Sequence, residues 1–348
     1  MRRLLIVGAG KRVRDAALPC LARLRGQIEL RAICARSTAE ALALDGGRYP
    51  VEPLATLPDS KFSGVDLIYV VVGKGNVPGV LQELRRFDLS RVDLLIETPI
   101  LLLKHFRHVE RLRAFRGASV AEDCCELPWL RLVQRLSAEG PLGRIQHVTF
   151  HRSAYAYHGM AMAKCVLGDP NISSAKRTRT ADGPTRYLRF QGGATASIVE
   201  PRDYSLGHFE IRGERGLLAD KPGIAKATLR MEALVQGGRC VGFRAGDAEE
   251  PLDDDEVALM ALDPDAARLS PECAVTARMD GLKRVGFLRL LRRLASGKPA
   301  YSVEAGLDDM LVDYALEKAG RYVATPFTCV RSGPARTLLG WASRLAGR

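Results

Sequence analysis

Apolar residues recur along this chain in short unbroken runs up to about residue 121 and at every other position in several segments after residue 144, so two folding patterns follow one another. Residues 3–7, Arg-Leu-Leu-Ile-Val, break into Gly8-Ala9-Gly10, and a helical pattern follows from Arg14 to Leu24, which predicts strand, glycine turn and helix. Ile28–Cys34 reads as a second strand, and Ser37–Leu44 as a helix with Ser37 at its N-cap. Val65–Val72 is largely apolar and β-branched, which suits a parallel strand covered on both faces. A helix over 77–86, a strand at Val92–Ile96, a helix near 103–114 and a strand at Ala118–Ala121 continue the alternation. Such alternation predicts a parallel, doubly wound sheet.

A long helix from Leu127 to Gly140 leads into period-two segments at Ile145–Arg152, Thr185–Phe190, Ala194–Glu200 and His208–Arg212, which predict a more antiparallel second sheet. Residues 245–256, with Glu249, Glu250 and Asp253 to Glu256, read as a solvated acidic loop, and Leu282–Ser296 and Gly306–Tyr322 as late helices. The fold class is therefore α/β: an N-terminal Rossmann-type doubly wound parallel sheet over 1–122, and a C-terminal α+β domain with a mostly antiparallel open sheet over 123–334. Residues 335–348 form a third element, a basic amphipathic helix with Leu338, Leu339, Trp341 and Leu345 beside Arg336, Arg344 and Arg348. It suits packing on the body or on a partner subunit, or contact with a membrane surface.

Composition narrows this picture. A chain of 348 residues with 47% apolar content is long enough for two cores. Two arginines are followed by only four apolar residues before Gly8, too few for a signal peptide, and no run reaches the roughly 18 apolar residues of a spanning helix, so a cytoplasmic protein is expected. The eight cysteines lack C-x-x-C spacing, which argues against a structural zinc site. A net charge of +12 favours anionic partners. With 6% aromatic residues and basic residues spread as arginine pairs, nucleic acid is not the expected one.

Gly8 and Gly10 occupy the first two positions of a dinucleotide-binding turn, where glycine permits a tight bend and close approach of a pyrophosphate, but Val13 stands at the third. The turn either holds a cofactor or keeps its glycines for geometry alone. The second strand runs out into Cys34-Ala35-Arg36-Ser37, with no acid to bind ribose hydroxyls. Arg36 and Ser37 suit the 2′-phosphate of NADP, which is favoured over NAD or over no cofactor at all. Lys11 and Arg12 are candidates for further phosphate contacts, or are solvated residues at the start of a helix.

At Glu97-Thr98-Pro99 the chain resembles the Gfo/Idh/MocA oxidoreductases, which carry Glu-Lys-Pro there. Looser agreement extends over nearly the whole length: Val65–Tyr69, Pro128, Gly140–Ile145, Phe190–Ile198 with Gly192 and Gly193, Ile211-Arg212-Gly213 with Gly216, and Leu294–Pro299. The resemblance implies an NAD(P)-binding N-domain, a C-domain that supplies substrate contacts, and a homo-oligomer. It also implies that Glu97, Thr98, Pro99 and the exit Val72-Gly73-Lys74 border the cofactor, and that His158 is the proton-relaying histidine. Departures are plain. Thr98 cannot supply the lysine's cation, Ala154 and Ala161 stand where the relay's aspartates belong, and the segment from Ile145 to His158 is short.

Surviving candidates for proton transfer are His158, Tyr155 and Tyr157. The cluster Glu122, Asp123, Cys124, Cys125 and Glu126 lies where parallel sheets open to ligands, though caps and small buried side chains account for it as well. His105 and His108, one turn apart beside Arg107 and Arg111, fit a basic face better than a metal site. Three functions are compatible with these residues: an NADP-dependent reductase or dehydrogenase of a small polar metabolite, an acidic one included; a degenerate relative acting as a binding or scaffold subunit; and a non-redox lyase or hydrolase on the same fold.

Overall fold

The computed structural model describes residues 1–37, 39–44, 46–138, 140–224, 226–263 and 273–324. The helix expected over 335–348, and with it the expected membrane or subunit contact, lies outside the described residues. The chain forms two units, Met1–Glu122 with Phe287–Asp308, and Asp123–Gly286 with the described part of Asp309–Gly333. Among the described residues no helix is long and apolar enough to cross a membrane.

The first unit is built on β1 (Arg2–Val7), β2 (Ile28–Ala35), β3 (Ala39–Leu44), β4 (Gly47–Pro53), β5 (Leu67–Val70), β6 (Asp93–Ile96) and β7 (Gly117–Val120). With the short strand Tyr301–Ser302 they form a sheet in the order Tyr301–Ser302, β7, β6, β5, β1, β2, β4, β3. Pairing is parallel from β7 to β4, and antiparallel at both edges. Leu4–Val7 and Leu67–Val70 are buried throughout, as their unbroken apolar character requires of strands covered on both faces.

Three local expectations are corrected here. Residues 39–44 form β3, not a helix capped by Ser37. Their Ala, Leu and Glu favour helix, but the run stops short of Gly46, at φ +77°, and pairs antiparallel with β4, burying Leu42. An Asp-Gly hairpin signal and cross-strand pairing outweigh local propensity. The helix after the glycine turn is present but lies three residues earlier, over residues 11–21, and opens into a π-helical turn at Val13–Ala17 before an α-helical turn at Leu18–Leu21. Residues 103–114 are helical as expected but wound as a 3₁₀ helix.

The second unit carries β8 (Ile145–His151), β9 (Ile172–Thr180), β10 (Gly183–Phe190), β11 (Thr195–Val199), β12 (His208–Gly213), β13 (Leu217–Ala219), β14 (Leu229–Gln236), β15 (Arg239–Ala245) and β16 (Ala248–Pro251). Their order is β16, β15, β14, β13, β12, β8, β11, β10, β9, Arg321–Val323, and the pairing is antiparallel except at β8–β11 and β13–β14. One face is apolar, with Val148, Phe150, Ile198, Phe209 and Ile211 buried, and Trp129 of the helix Pro128–Ala138 stacks on Phe209 at 4.6 Å. Strand alternation sends His147, Thr149, His151, Thr195, Ser197, His208 and Glu210 to the opposite face.

The acidic stretch 245–256 is not a solvated loop. Ala248–Pro251 is β16, and a helix Asp254–Met260 begins at a capping box in which Asp253 accepts from the Glu256 backbone N–H and Glu256 from that of Asp253. Glu250 is buried and pairs with Arg135 at 3.2 Å. Two buried polar clusters fix this unit. Arg186 pairs with Glu200 at 3.2 Å and also with Asp313 and Glu317. Asp220 is wholly buried and accepts from the N–H groups of Phe209 (2.6 Å) and Thr276 (2.9 Å).

Candidate functional site: the carboxyl edge of the parallel sheet

The exits of β2, β1, β5 and β6 are adjacent in the first sheet, so the residues expected to border a cofactor share one edge. Gly8 follows β1 with φ +134°, and a Cβ there would lie 2.1 Å from the Val71 carbonyl oxygen, so the close passage of the β1 and β5 exits requires glycine. Gly10 is different. It is exposed, and a Cβ there would meet nothing within 4 Å, which leaves open space over the turn. Val13, at the third position, is wholly buried and begins the widened π turn.

Arg36 and Ser37 are exposed beyond β2 and have no partner among the described residues, whereas Cys34 is buried, and burial pushes its thiol up to about 12. Val72 is half-buried, and Gly73 and Lys74 are exposed at the β5 exit, where Lys74 opens a 3₁₀ turn. Lys11 is turned outward and pairs with Asp15 at 2.7 Å. Arg12 reaches across the edge instead: its Nε donates to Glu97 Oε1 at 2.9 Å, and its guanidinium lies 4.8 Å from the centre of the Phe287 ring. The Tyr69 hydroxyl donates to the same Glu97 oxygen. Burial, and then the Glu97 charge, raise the Tyr69 pKa well above the usual value, so it stays a phenol. Thr98 is half-buried, and Pro99 is buried after a cis Thr98–Pro99 bond.

Within the second unit, His158, Tyr155 and Tyr157 gather at the start of the helix Ala156–Leu167, which ends as expected at Gly168 in the left-handed conformation. The Tyr157 and His158 rings are 4.5 Å apart, those of Tyr155 and Tyr157 5.8 Å, and the Arg202 guanidinium lies 5.5 Å from the Tyr155 ring. Cys124 Sγ lies within 4.8 Å of a His158 ring nitrogen. Arg152 at φ +51° and Ala156 at φ +34° flank Tyr155, a left-handed backbone rarely adopted by residues with side chains. Ala154 and Ala161 are buried, at 2% and 0% exposure, so neither position offers an acid.

Asp123 and Cys124 are buried in a 3₁₀ turn with Lys283 Nζ 3.8 Å from Asp123, an arrangement that suits structure more than a free nucleophile. His108 Nε2 accepts from Arg107, and burial with the Arg111 and Arg107 charges holds its pKa low.

No protein-family model and no curated protein matches the chain. Solved structures do. It is similar to a myo-inositol dehydrogenase from Corynebacterium glutamicum (14% identity, 94% of this chain and 99% of that one covered, TM-score 0.57). An oxidoreductase from Agrobacterium radiobacter solved with NAD+, L-tartaric acid and magnesium matches at 15% identity, with 92% and 98% covered and a TM-score of 0.58. A levoglucosan dehydrogenase solved with NADH and levoglucosan matches at 15%, with 92% and 99% covered and a TM-score of 0.56. The chain has the fold of these dehydrogenases and oxidoreductases, the two-domain α/β architecture that the resemblance to the Gfo/Idh/MocA family implies.

Proposed function

We propose that the protein is an NAD(P)-dependent oxidoreductase, with NADPH preferred, acting on a small polar metabolite. The observation that carries this is the edge itself: an exposed Gly10 with open space above it, and an exposed Arg36 and Ser37, without a partner among the described residues, at the exit of the neighbouring strand. These groups fit a dinucleotide, with its pyrophosphate over the glycine turn and its 2′-phosphate against Arg36. The similar structures solved with NAD+ and with NADH support a nicotinamide cofactor; the arginine in place of a ribose-binding acid supports the phosphorylated form. A bound nicotinamide supplies or accepts the hydride.

The chain's own residues do the rest. Gly8, Gly10, Arg36 and Ser37 bind, and the Arg12–Glu97–Tyr69 contacts fix the walls at the β1 and β6 exits. Lys74 gives the β5 exit a cation suited to an acidic substrate. We assign proton transfer to His158, with Tyr155 and Tyr157 as alternative donors. Titration with NADPH and NADH at low and moderate salt tests the reading, and His158→Ala, Tyr155→Phe and Tyr157→Phe then identify the proton donor by their loss of turnover.

A second reading, a binding or scaffold subunit without turnover, is favoured by Thr98 and the buried Ala154 and Ala161, which leave the resembled relay without its lysine and acids. It predicts cofactor binding, or none, without substrate-dependent oxidation of NADPH.

A further inference from the structure

Two imidazoles and a carboxylate meet on the polar face of the second sheet, and the proposed reaction uses none of them. β8 and β12 run antiparallel with His151 directly opposite His208 and Thr149 opposite Glu210. Side chains alternate between faces, so His208 and Glu210, two residues apart, share a face, and the register puts His151 on it with them. Opposed strand residues have Cβ atoms about 4.5–5.5 Å apart, and here the two rings stack with centres 4.3 Å apart and planes 11° from parallel.

Glu210 Oε1 is 3.4 Å from His151 Nε2 and 3.7 Å from His208 Nε2, and one ligand atom from each of the three residues lies within 4.8 Å of the others. Both separations exceed the roughly 2.7–3.2 Å of a nitrogen–oxygen hydrogen bond. They lie closer to the edge of about 3.3–3.4 Å that bonds of about 2.0–2.1 Å give in a tetrahedron. The stacked rings do not aim at one point as they stand, and joint ligation would require each to turn about Cβ–Cγ, a side-chain movement that leaves the strand pairing unchanged. The side chains of His151 and Glu210 are each 26% exposed, so an ion can reach them from solvent.

We propose that His151, His208 and Glu210 bind one divalent transition-metal ion of the zinc class, with the fourth position left to water. Two imidazole nitrogens and one carboxylate oxygen suit zinc and its first-row neighbours, and suit calcium or magnesium poorly. Glu210 supplies one negative charge, while Lys221 acts on His208 from nearby and opposes a cation, so both imidazoles are needed for affinity.

The test is calorimetric titration of the full chain with Zn2+ alone, in competition with a chromophoric chelator, and a parallel Co2+ titration read by the visible bands of tetrahedral cobalt. One ion per chain is expected, with binding at least tenfold weaker in Glu210→Gln and in His151→Gln, and unchanged in a His105→Ala/His108→Ala double variant. Circular dichroism confirms that each variant is folded; should Glu210→Gln unfold, His151→Gln carries the comparison. Absence of stoichiometric binding to the unmodified chain, or equal affinity in the folded Glu210→Gln and His151→Gln variants, would overturn the proposal.

Discussion

Arg12 and Glu97 join two strand exits: the arginine on the turn after β1 donates from Nε to the carboxylate after β6, at 2.9 Å. Tyr69 donates to the same oxygen, and Phe287 lies against the guanidinium. The pair stands beside Thr98, at 29% and 19% side-chain exposure, and sets the shape of the edge where the resembled family carries a lysine. Replacing Arg12 with Met leaves Glu97 charged with one fewer donor. Urea unfolding is expected to show a loss of about 1–3 kcal/mol, and Glu97→Gln, which still accepts from Tyr69, a smaller one. A double-mutant cycle with no coupling would contradict this role.

The two glycines of the turn are expected to respond differently. Gly8→Ala drives a Cβ to 2.1 Å from the Val71 carbonyl, at a φ of +134°, and should cost about 3 kcal/mol or more, or prevent folding. Gly10→Ala meets no atom within 4 Å. It should shift the thermal midpoint little, yet weaken NADPH binding, because the added methyl occupies the space over the turn. Unimpaired NADPH binding by Gly10→Ala would mean that this glycine is architecture only.

Asp220 makes stability depend on pH. Burial raises its pKa from 3.8 to about 6 against the N–H groups of Phe209 and Thr276 that lower it. The folded state therefore holds a proton that the unfolded chain releases, and the group's contribution is fully present below about pH 3.8 and lost as pH rises through about 6, up to about 3 kcal/mol. Asp220→Asn cannot titrate. The stability difference between native protein and variant should shrink from about pH 4 to about pH 6.5 in urea titrations; a constant difference would show that Asp220 does not titrate there.

Where burial sets a strand, the sequence was legible. β1, β5 and β6 appear as apolar runs, and β8, β11 and β12 as alternation, because covering two faces or one leaves a pattern in consecutive residues. β3 was misread, since Ala-Glu-Ala-Leu-Ala-Leu favours helix locally and only its partner β4 makes it a strand. The acidic run 245–256 hid a capping box and a buried Glu250 whose arginine partner lies over a hundred residues earlier. Arg12–Glu97 and His151–His208–Glu210 depend likewise on which strands become neighbours. His208-Phe209-Glu210 on a predicted strand was a visible half of the second cluster, but nothing local placed His151 opposite.

The measurement that bears most directly on the central claim is the binding of NADPH and NADH to the unmodified chain and to Arg36→Ala, at low and moderate salt so that attraction to the basic surface is separated from specific binding. NADPH should bind more tightly than NADH at both salt concentrations, and Arg36→Ala should lose about tenfold or more for NADPH while NADH is little changed, as expected for a charge-assisted phosphate contact. Failure of both nucleotides to bind at millimolar concentration would contradict the account and leave the glycine turn as inherited architecture.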